Sequence, residues 1–506
     1  MTTEHFDILI VGAGLSGIGA AWHFQDKCPN KTYAILEARD SIGGTWDIHR
    51  YPGVRSDSEM YTYAYNFKPW TGTKVIADGH EILEYIRETA RENGIDKKIR
   101  YGVKVLKADW SDATNTWTVT AERTVDGETK KVTYTCNFLL SCAGYYSYEA
   151  GYTPEFKGRK NFKGPVVHPQ EWPEDLDYTG KKVVIIGSGA TAVTLLPAMA
   201  EKAKHVTMLQ RSPTYMATIP EKDHISDALR LVLPDMLVHR LGRARGVALQ
   251  RGVFRLSQSA PKLTSTILRG LVKRQVGNKV DMKHFTPSYN PWDERLCAVP
   301  NGDLFKALRK GHASVVTNHI DKFTKNGILL QNGEELEADI IVTATGFNIQ
   351  LLGGMQLSVN QEPVKLTEGM VYKGTLFEGI PNAAMIFGYT NSSWTLKSDL
   401  SSEYICRLLN YMDQMGAVKA TPINNDPTIE KHSFITDGSG CTNASYIQRA
   451  LKNMPLQGDK LPWKVHMNYL KDLPMLRYSS LNDGTMEFAL TGTLEDTNEP
   501  LVVISG

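Results

Sequence analysis

Phe6 to Val11 (FDILIV) is a short, largely apolar run that passes directly into Gly12-Ala13-Gly14-Leu15-Ser16-Gly17 and then into the helix-compatible segment IGAAWHFQ. Such a run suits a buried parallel strand, and G-x-G-x-x-G between a strand and a helix constrains the chain to a nucleotide-binding turn. Gly12 allows the sharp turn, Gly14 lets the backbone approach a pyrophosphate, Gly17 lets the helix pack on the strand, and the helix N-terminus faces the anion. With 42 glycines in 506 residues, roughly 0.3 such matches arise by chance, so the surroundings must decide. They do: Thr32 to Leu36 (TYAIL) reads as a second strand, and it ends at Glu37, twenty residues past Gly17. A carboxylate there accepts hydrogen bonds from both hydroxyls of a ribose, which suits the AMP half of FAD or NAD. The alternative is an apolar helical hairpin with incidental glycines.

The pattern recurs. Lys181 to Ile186 (KKVVII) leads into Gly187-Ser188-Gly189-Ala190-Thr191-Ala192, then VTLLPAMAEKA and the strand-like HVTMLQ. Where the first copy ends on Glu37, the second continues Gln210, Arg211, Ser212. A cation with a hydroxyl neighbour suits a 2′-phosphate that a carboxylate would repel, so the second site is expected to take NADPH. A surface arginine beside a purely structural repeat is the competing reading. Two further apolar runs, Phe138 to Gly144 (FLLSCAG) and Ala338 to Gly346 (ADIIVTATG), end in small residues and glycine. Such ends permit close backbone passage at a cofactor or a domain crossover.

The length predicts two or three folding units. Charge is nearly balanced, 57 basic against 55 acidic residues, which gives no reason to expect nucleic-acid binding. Six cysteines without a C-x-x-C pair are too sparse for a disulfide scaffold and fit reduced thiols in a cytoplasm. No metal site is expected. Ile8 to Gln25 lacks a formal charge but contains four glycines and follows acidic Glu4 and Asp7, so it reads neither as a membrane span nor as a secretion signal.

Three features narrow the class. A disulfide reductase would need paired cysteines, and the nearest pair, Cys136 and Cys142, does not fit. Gly43-Gly44-Thr45-Trp46, followed by Arg50-Tyr51-Pro52-Gly53-Val54-Arg55-Ser56-Asp57, fits a loop and fixed turn over a flavin. Phe162-x-Gly164-x-x-x-His168-x-x-x-Trp172-Pro173 leads into the second fingerprint. That run, with the two fingerprints and the G-x-W-x-x-x-x-Y-P-G-x-x-x-D segment from Gly44 to Asp57, resembles the type I Baeyer–Villiger monooxygenases. Amine- and sulfide-oxygenating flavin-containing monooxygenases share the architecture but typically carry another aromatic at the position of Trp172.

The resemblance implies an α/β protein with two Rossmann-like dinucleotide-binding domains, one inserted in the other. An FAD domain is expected over 1–146 and 348–506, an NADPH domain over 147–220 and 286–347, and a basic helical insertion over 221–285. It implies reduction of FAD by NADPH, addition of O2 to give a C4a-peroxyflavin, and conversion of ketones to esters or lactones, with sulfide and thioamide oxidation also expected. Arg295 would be the active-site cation and Asp57 its positioning partner; a surface arginine paired with Asp293 or Glu294, and a capping aspartate, are the plainer alternatives. The family implies cofactor contacts at Gly12, Gly14, Leu15, Ser16, Gly17, Glu37, Gly44, Thr45, Trp46, Arg55, Ser56, Asp57 and Val105. On the NADPH side it implies Gly187, Ser188, Gly189, Ala190, Thr191, Arg211 and Ser212. Relatives in other branches carry Lys where this chain has Glu294, which puts more weight on Arg211 and Ser212. His168 is expected to bridge backbone groups in the linker, and Trp394 to face substrate or the core. A non-oxygenating flavin reductase is the rival from another class.

Arg240 to Lys283 holds eleven basic residues and one acid, Asp281, interleaved with Leu, Val, Ile and Phe in helical spacing. A solvated helical insertion is one expectation. A peripheral membrane contact is the other.

Overall fold

A computed structural model describes residues 3–294, 296–435 and 443–490. Strand β1 (Glu4–Val11) is followed by helix α1 (Leu15–Lys27) and strand β2 (Tyr33–Leu36). Short helix α2 (Met60–Tyr63) and the long strand β3 (Glu128–Ser141) come next. β1 lies between β2 and β3, parallel to both, with Val11 opposite Leu36 on one side and Ser141 on the other. The three strand ends are therefore level, and Gly12, Glu37 and Cys142 leave the sheet side by side. Ile8, Leu9 and Ile10 are fully buried because both faces of this parallel core are covered. The sheet continues as an antiparallel meander through Thr116–Val125 and Val103–Ser111, and Ala383–Met385 returns late in the chain to pair with β3.

The second unit repeats this logic. β4 (Lys182–Ile186), α3 (Ala190–Met199) and β5 (His205–Gln210) follow one another. The insertion supplies α4 (Asp235–Ser259) and α5 (Pro261–Val276), and then come α6 (Asp303–Lys310) and β6 (Ile340–Thr343). Its parallel sheet runs Ala313–Thr317, β5, β4, β6 and the two-residue strand Val166–Val167. Ile186 is level with Leu209 and Thr343.

The register explains the turn glycines. Gly12 has φ +105°, and a Cβ there would lie 2.6 Å from the Cys142 carbonyl oxygen; Gly187 has φ +134°, and a Cβ would lie 2.3 Å from that of Ala344. Each fingerprint glycine is thus squeezed by the small-residue end of the neighbouring strand, which gives the FLLSCAG and ADIIVTATG tails their role. A Cβ on Gly17 would meet the Gly12 carbonyl at 1.9 Å, so α1 packs directly on its own turn.

The two units are joined by a pair of antiparallel crossings, in which Ser147 N–H donates to Asn348 O and Tyr152 N–H to Gly346 O. The linker run stitches the second sheet: Phe162 packs in its core with Phe323, and Gly164 passes where a Cβ would meet Asp339 O. His168 Nδ1 accepts the Gln170 N–H at 3.2 Å, leaving Nε2–H to donate to Gly346 O at 3.1 Å. Burial holds its pKa below the usual imidazole value, consistent with that neutral tautomer. Trp172 packs half-buried on the second core. After the crossings, α7 (Trp394–Met415) packs on α1.

The basic insertion is not solvated all round. One face of α4 is seated on α2, where a Cβ on Gly242 would meet the Tyr61 ring at 2.7 Å. Arg243 is buried, pairs with Asp399 of α7 at 3.0 Å and donates to Ala64 O at 2.9 Å. α5 buries Val272 and Val276 in the core of the second unit. The insertion therefore straddles both units, because its small residues and one arginine find partners far away in the chain. Among the described residues no helix is long and apolar enough to cross a membrane, and Cys28, Cys136, Cys142, Cys297 and Cys406 are buried and form no disulfide with one another.

Candidate active site

A cavity of about 460 Å³ lies between the two units, lined from one side by Gly12, Gly14, Leu15, Ser16, Glu37 and Val105 and from the other by Ala190 and Thr191. α1 starts at Gly14 and α3 at Gly189; neither start has a side-chain cap or an acid in its first turn. Both helices thus leave their first N–H groups and positive dipole ends for an anion. Glu37 accepts the Ala13 N–H at 2.7 Å through Oε2 and the Arg39 N–H at 2.9 Å through Oε1. Each oxygen keeps lone pairs toward the cavity, as recognition of two ribose hydroxyls requires. Burial raises the Glu37 pKa, and the two backbone hydrogen bonds oppose that shift.

The second signature builds the adjoining wall. Gly44 opens the short helix Thr45–Ile48; Trp46 Nε1–H donates to Tyr63 OH at 2.9 Å, and Thr45 Oγ1 lies 3.4 Å from Tyr148 OH. Burial pushes the Tyr148 hydroxyl up to about 12 and the Tyr63 hydroxyl higher still, so both remain neutral donors or acceptors. Arg55 reaches across to Asp303 in the first turn of α6, tying the first unit to the second. Its Nη2 is buried without a hydrogen-bond partner among the described residues, while other atoms of the side chain line the cavity. A guanidinium group at the cavity wall fits an anionic or carbonyl-bearing ligand. Ser56 Oγ–H donates to Ser58 O at 2.7 Å, and Asp57 is exposed to the cavity. Arg295 lies outside the described residues.

Aromatic rings close the remaining side. Trp394 stacks on Tyr145 with centroids 5.0 Å apart, and its Nε1–H donates to Ser16 Oγ at 2.8 Å. It therefore both lines the cavity and anchors α7 to the fingerprint helix. Tyr146, Tyr148, Phe347 and Tyr389 also line the space. Of these rings, Tyr145, Tyr146 and Tyr148 are signalled in the sequence by YYSY directly after the FLLSCAG strand end, whereas nothing local singles out Tyr389. The Lys397–Asp472 pair is buried behind Tyr389, at 3.0 Å, with the Tyr389 hydroxyl donating to Asp472 at 2.8 Å.

Not every expected residue lines this cavity. Gly17 is spent on helix packing, and Phe162, Gly164, His168 and Trp172 act in the linker. Gly187, Ser188, Gly189, Arg211 and Ser212 stand apart at the end of the second sheet. There Ser188 Oγ is 2.8 Å from Thr214 Oγ1, and Arg211 and Ser212 are exposed. Burial raises the Glu294 pKa, and the Arg211 charge opposes that rise, so the two lie in one electrostatic neighbourhood.

Among solved structures, the cyclohexanone monooxygenase from Rhodococcus sp. Phi1 bound to NADP+ matches with a TM-score of 0.72 at 20% identity, over 97% of this chain and 100% of that one. MymA of Mycobacterium tuberculosis is 54% identical over 491 residues, 96% of this chain and 98% of its own length. The FAD-containing monooxygenase EthA of Mycolicibacterium smegmatis is 52% identical over 488 residues, 96% and 97% of the two chains. With residues 7–376 matching it and relatives of this similarity along nearly its whole length, the chain belongs to the flavin-binding monooxygenase-like family.

Proposed function

We propose that the protein is a Baeyer–Villiger monooxygenase that uses FAD, NADPH and O2 to convert ketones to esters or lactones, and that it oxidises sulfides and thioamides at the same site. The observation that carries this reading is one cavity that receives an uncapped fingerprint helix from each unit and is walled by aromatic rings. The fold shared with a cyclohexanone monooxygenase and the linker run ending in Trp172 support it. FAD occupies the unit formed by 1–146 and 348–506 in this reading, and NADPH that of 147–220 and 286–347.

When bound, FAD supplies activation of dioxygen and transfer of one oxygen atom. The chain's residues supply position and charge. Glu37 holds the ribose, and the N–H groups at the start of α1 hold the pyrophosphate beside Gly12 and Gly14. Gly44, Thr45, Trp46 and Tyr148 would form a wall for the ring system, and Val105 and Leu15 line the same cavity. Ala190 and Thr191 at the start of α3 receive the second pyrophosphate, and Arg211 with Ser212 receives the 2′-phosphate. Arg295 offsets the negative charge that grows on oxygen as the substrate carbonyl is attacked, and Asp57 positions it. Arg55, paired with Asp303, ties the first turn of α6 to the flavin wall. Tyr145, Tyr389 and Trp394 present an apolar face to the ketone and exclude water.

The test is to supply the holoenzyme with NADPH, ¹⁸O2 and a ketone panel and weigh the products. A singly labelled ester is expected. Peroxide as the sole product would leave a reductase, and oxygenated amines or sulfides without any ester would leave the amine- and sulfide-oxygenating class. Arg295→Ala should retain flavin and lose ester formation.

A further inference from the structure

Fifteen large apolar side chains are exposed among the described residues, and eleven of them fall between Ile225 and Leu271. On α5, Leu263, Ile267 and Leu271 follow each other at four-residue steps and form one row, each about half exposed. Lys262, Arg269 and Lys273 run beside them, with Arg274 at the end of the row. α4 likewise leaves Leu237, Leu241, Leu249 and Leu256 exposed, with Leu237 and Leu241 on the side away from its buried Arg243 and Gly246 and Leu249 and Leu256 at the flank. Just before α4, Leu231 and Val232 are 86% and 77% exposed.

Eight of the eleven cations fall into two groups. Arg243 and Arg245 are spent on Asp399 and Asp223. Arg240, Arg255, Lys262, Arg269, Lys273 and Arg274 are exposed and have no carboxylate within ion-pair distance among the described residues. Surface helices normally turn charge outward and leucine inward. Here the helices are already seated by their small and buried residues, and a second apolar stripe faces out between uncompensated cations.

We propose that the outward faces of α4 and α5 form a docking surface for an anionic lipid bilayer, into whose headgroup layer Leu263, Ile267 and Leu271 insert while Lys262, Arg269, Lys273 and Arg274 pair with lipid phosphates. Three physical points select this partner. The stretch from Arg240 to Lys283 carries eleven basic residues against one acid, so a symmetric pairing of this face with a second copy would oppose like charges. The apolar groups project as rows and line no part of the cavity between the units, which suits a deformable medium rather than a shaped ligand. Alternation of leucine with lysine and arginine on an exposed helix matches the boundary between headgroups and acyl chains.

Full-length holoprotein should cosediment with vesicles of phosphatidylcholine and phosphatidylglycerol at 7:3 in low salt, and should bind pure phosphatidylcholine vesicles weakly. Each cation near such a surface contributes roughly fivefold, so Lys262→Glu, Arg269→Glu and Lys273→Glu together should weaken binding by on the order of 100-fold or more. Leu263→Ser, Ile267→Ser and Leu271→Ser should remove the portion of binding that survives raised salt. Both triple variants should keep bound flavin and unchanged NADPH turnover with a water-soluble substrate, since these residues touch no part of the site. Absence of wild-type binding to the anionic vesicles would overturn the proposal, as would binding that neither triple variant weakens. Vesicle-independent self-association abolished by the serine variant, or capture of polyglutamate in preference to vesicles, would assign the face to a protein partner instead.

Discussion

Replacing Arg243 by Met keeps most of the side-chain volume inside the α4 seat and removes the charge together with the guanidinium hydrogen bonds, which separates the polar part of that contact from its packing. In the native protein the guanidinium lies 3.0 Å from Asp399 and 2.9 Å from Ala64 O. Asp399 is almost wholly buried, and its other neighbours are the Asn66 N–H at 3.1 Å and His23 Nε2 at 3.4 Å. Removing one partner of a buried pair leaves the other charge unpaired in a poor dielectric and costs about 3–5 kcal/mol. At ~2.1 cal/mol/K per residue the whole chain has an unfolding entropy near 1.1 kcal/mol/K, so Tm should fall by about 3–5 °C if it unfolds as one unit. Calorimetry of the holoprotein reads this directly. Adding Asp399→Asn to Arg243→Met should recover a large part of the loss, because no buried charge then remains, whereas Asp399→Asn alone should not stabilise. A drop below about 1 °C in the single variant, or no recovery in the double, would refute the view that this ion pair pins α4 to the first unit.

The same interface holds two titrating groups of opposite sense. Burial raises Glu59 to about 7, so between its unfolded value and pH 7 the native state retains a proton that the unfolded chain releases, and stability falls as pH rises. Burial, with Arg243 next, lowers His239 to about 4, so stability falls as pH drops from 6.5 toward 4. The slopes oppose each other near pH 4.5–6.5 at up to ~1.4 kcal/mol per pH unit each; Glu59→Gln should expose a Tm that rises with pH there, and His239→Gln one that falls. Gly12→Ala forces a Cβ to 2.6 Å from Cys142 O at φ +105°; it should cost at least about 1–3 kcal/mol and yield colourless protein by visible absorbance. Arg211→Gln should raise KM for NADPH by roughly 10- to 100-fold, the worth of a charge-assisted hydrogen bond, without affecting NADH. Glu294→Gln should lower it, because the carboxylate near Arg211 repels the same phosphate; steady-state kinetics with both nucleotides checks the pair.

Parts of the molecule set by neighbours close in sequence were readable, and parts set by distant partners were not. The turn glycines and Glu37 announce themselves because strand, turn, helix and second strand follow within a few dozen residues, and a dinucleotide needs little else from the chain. The tails FLLSCAG and ADIIVTATG were visible as unusual, but what they do, bringing the Cys142 and Ala344 carbonyls close against Gly12 and Gly187, depends on which strands become neighbours. Arg243 shows the limit most clearly. In sequence it is one of eleven cations on a basic helical stretch and indistinguishable from Arg240 or Arg255; what buries it is a carboxylate on a helix 156 residues later. Helical spacing identified the apolar residues of α4 and α5 as one amphipathic set, yet an amphipathic pattern does not say which stripe faces in. Gly242 and Gly246 decide it, because close approach to Tyr61 and Glu59 seats the small-residue face and leaves the leucines outside. The exposed apolar residues are thus a consequence of how the insertion clamps the first unit, and the docking surface and the Arg243 anchor can be tested by separate variants, the first on α5 and the second on the buried face of α4.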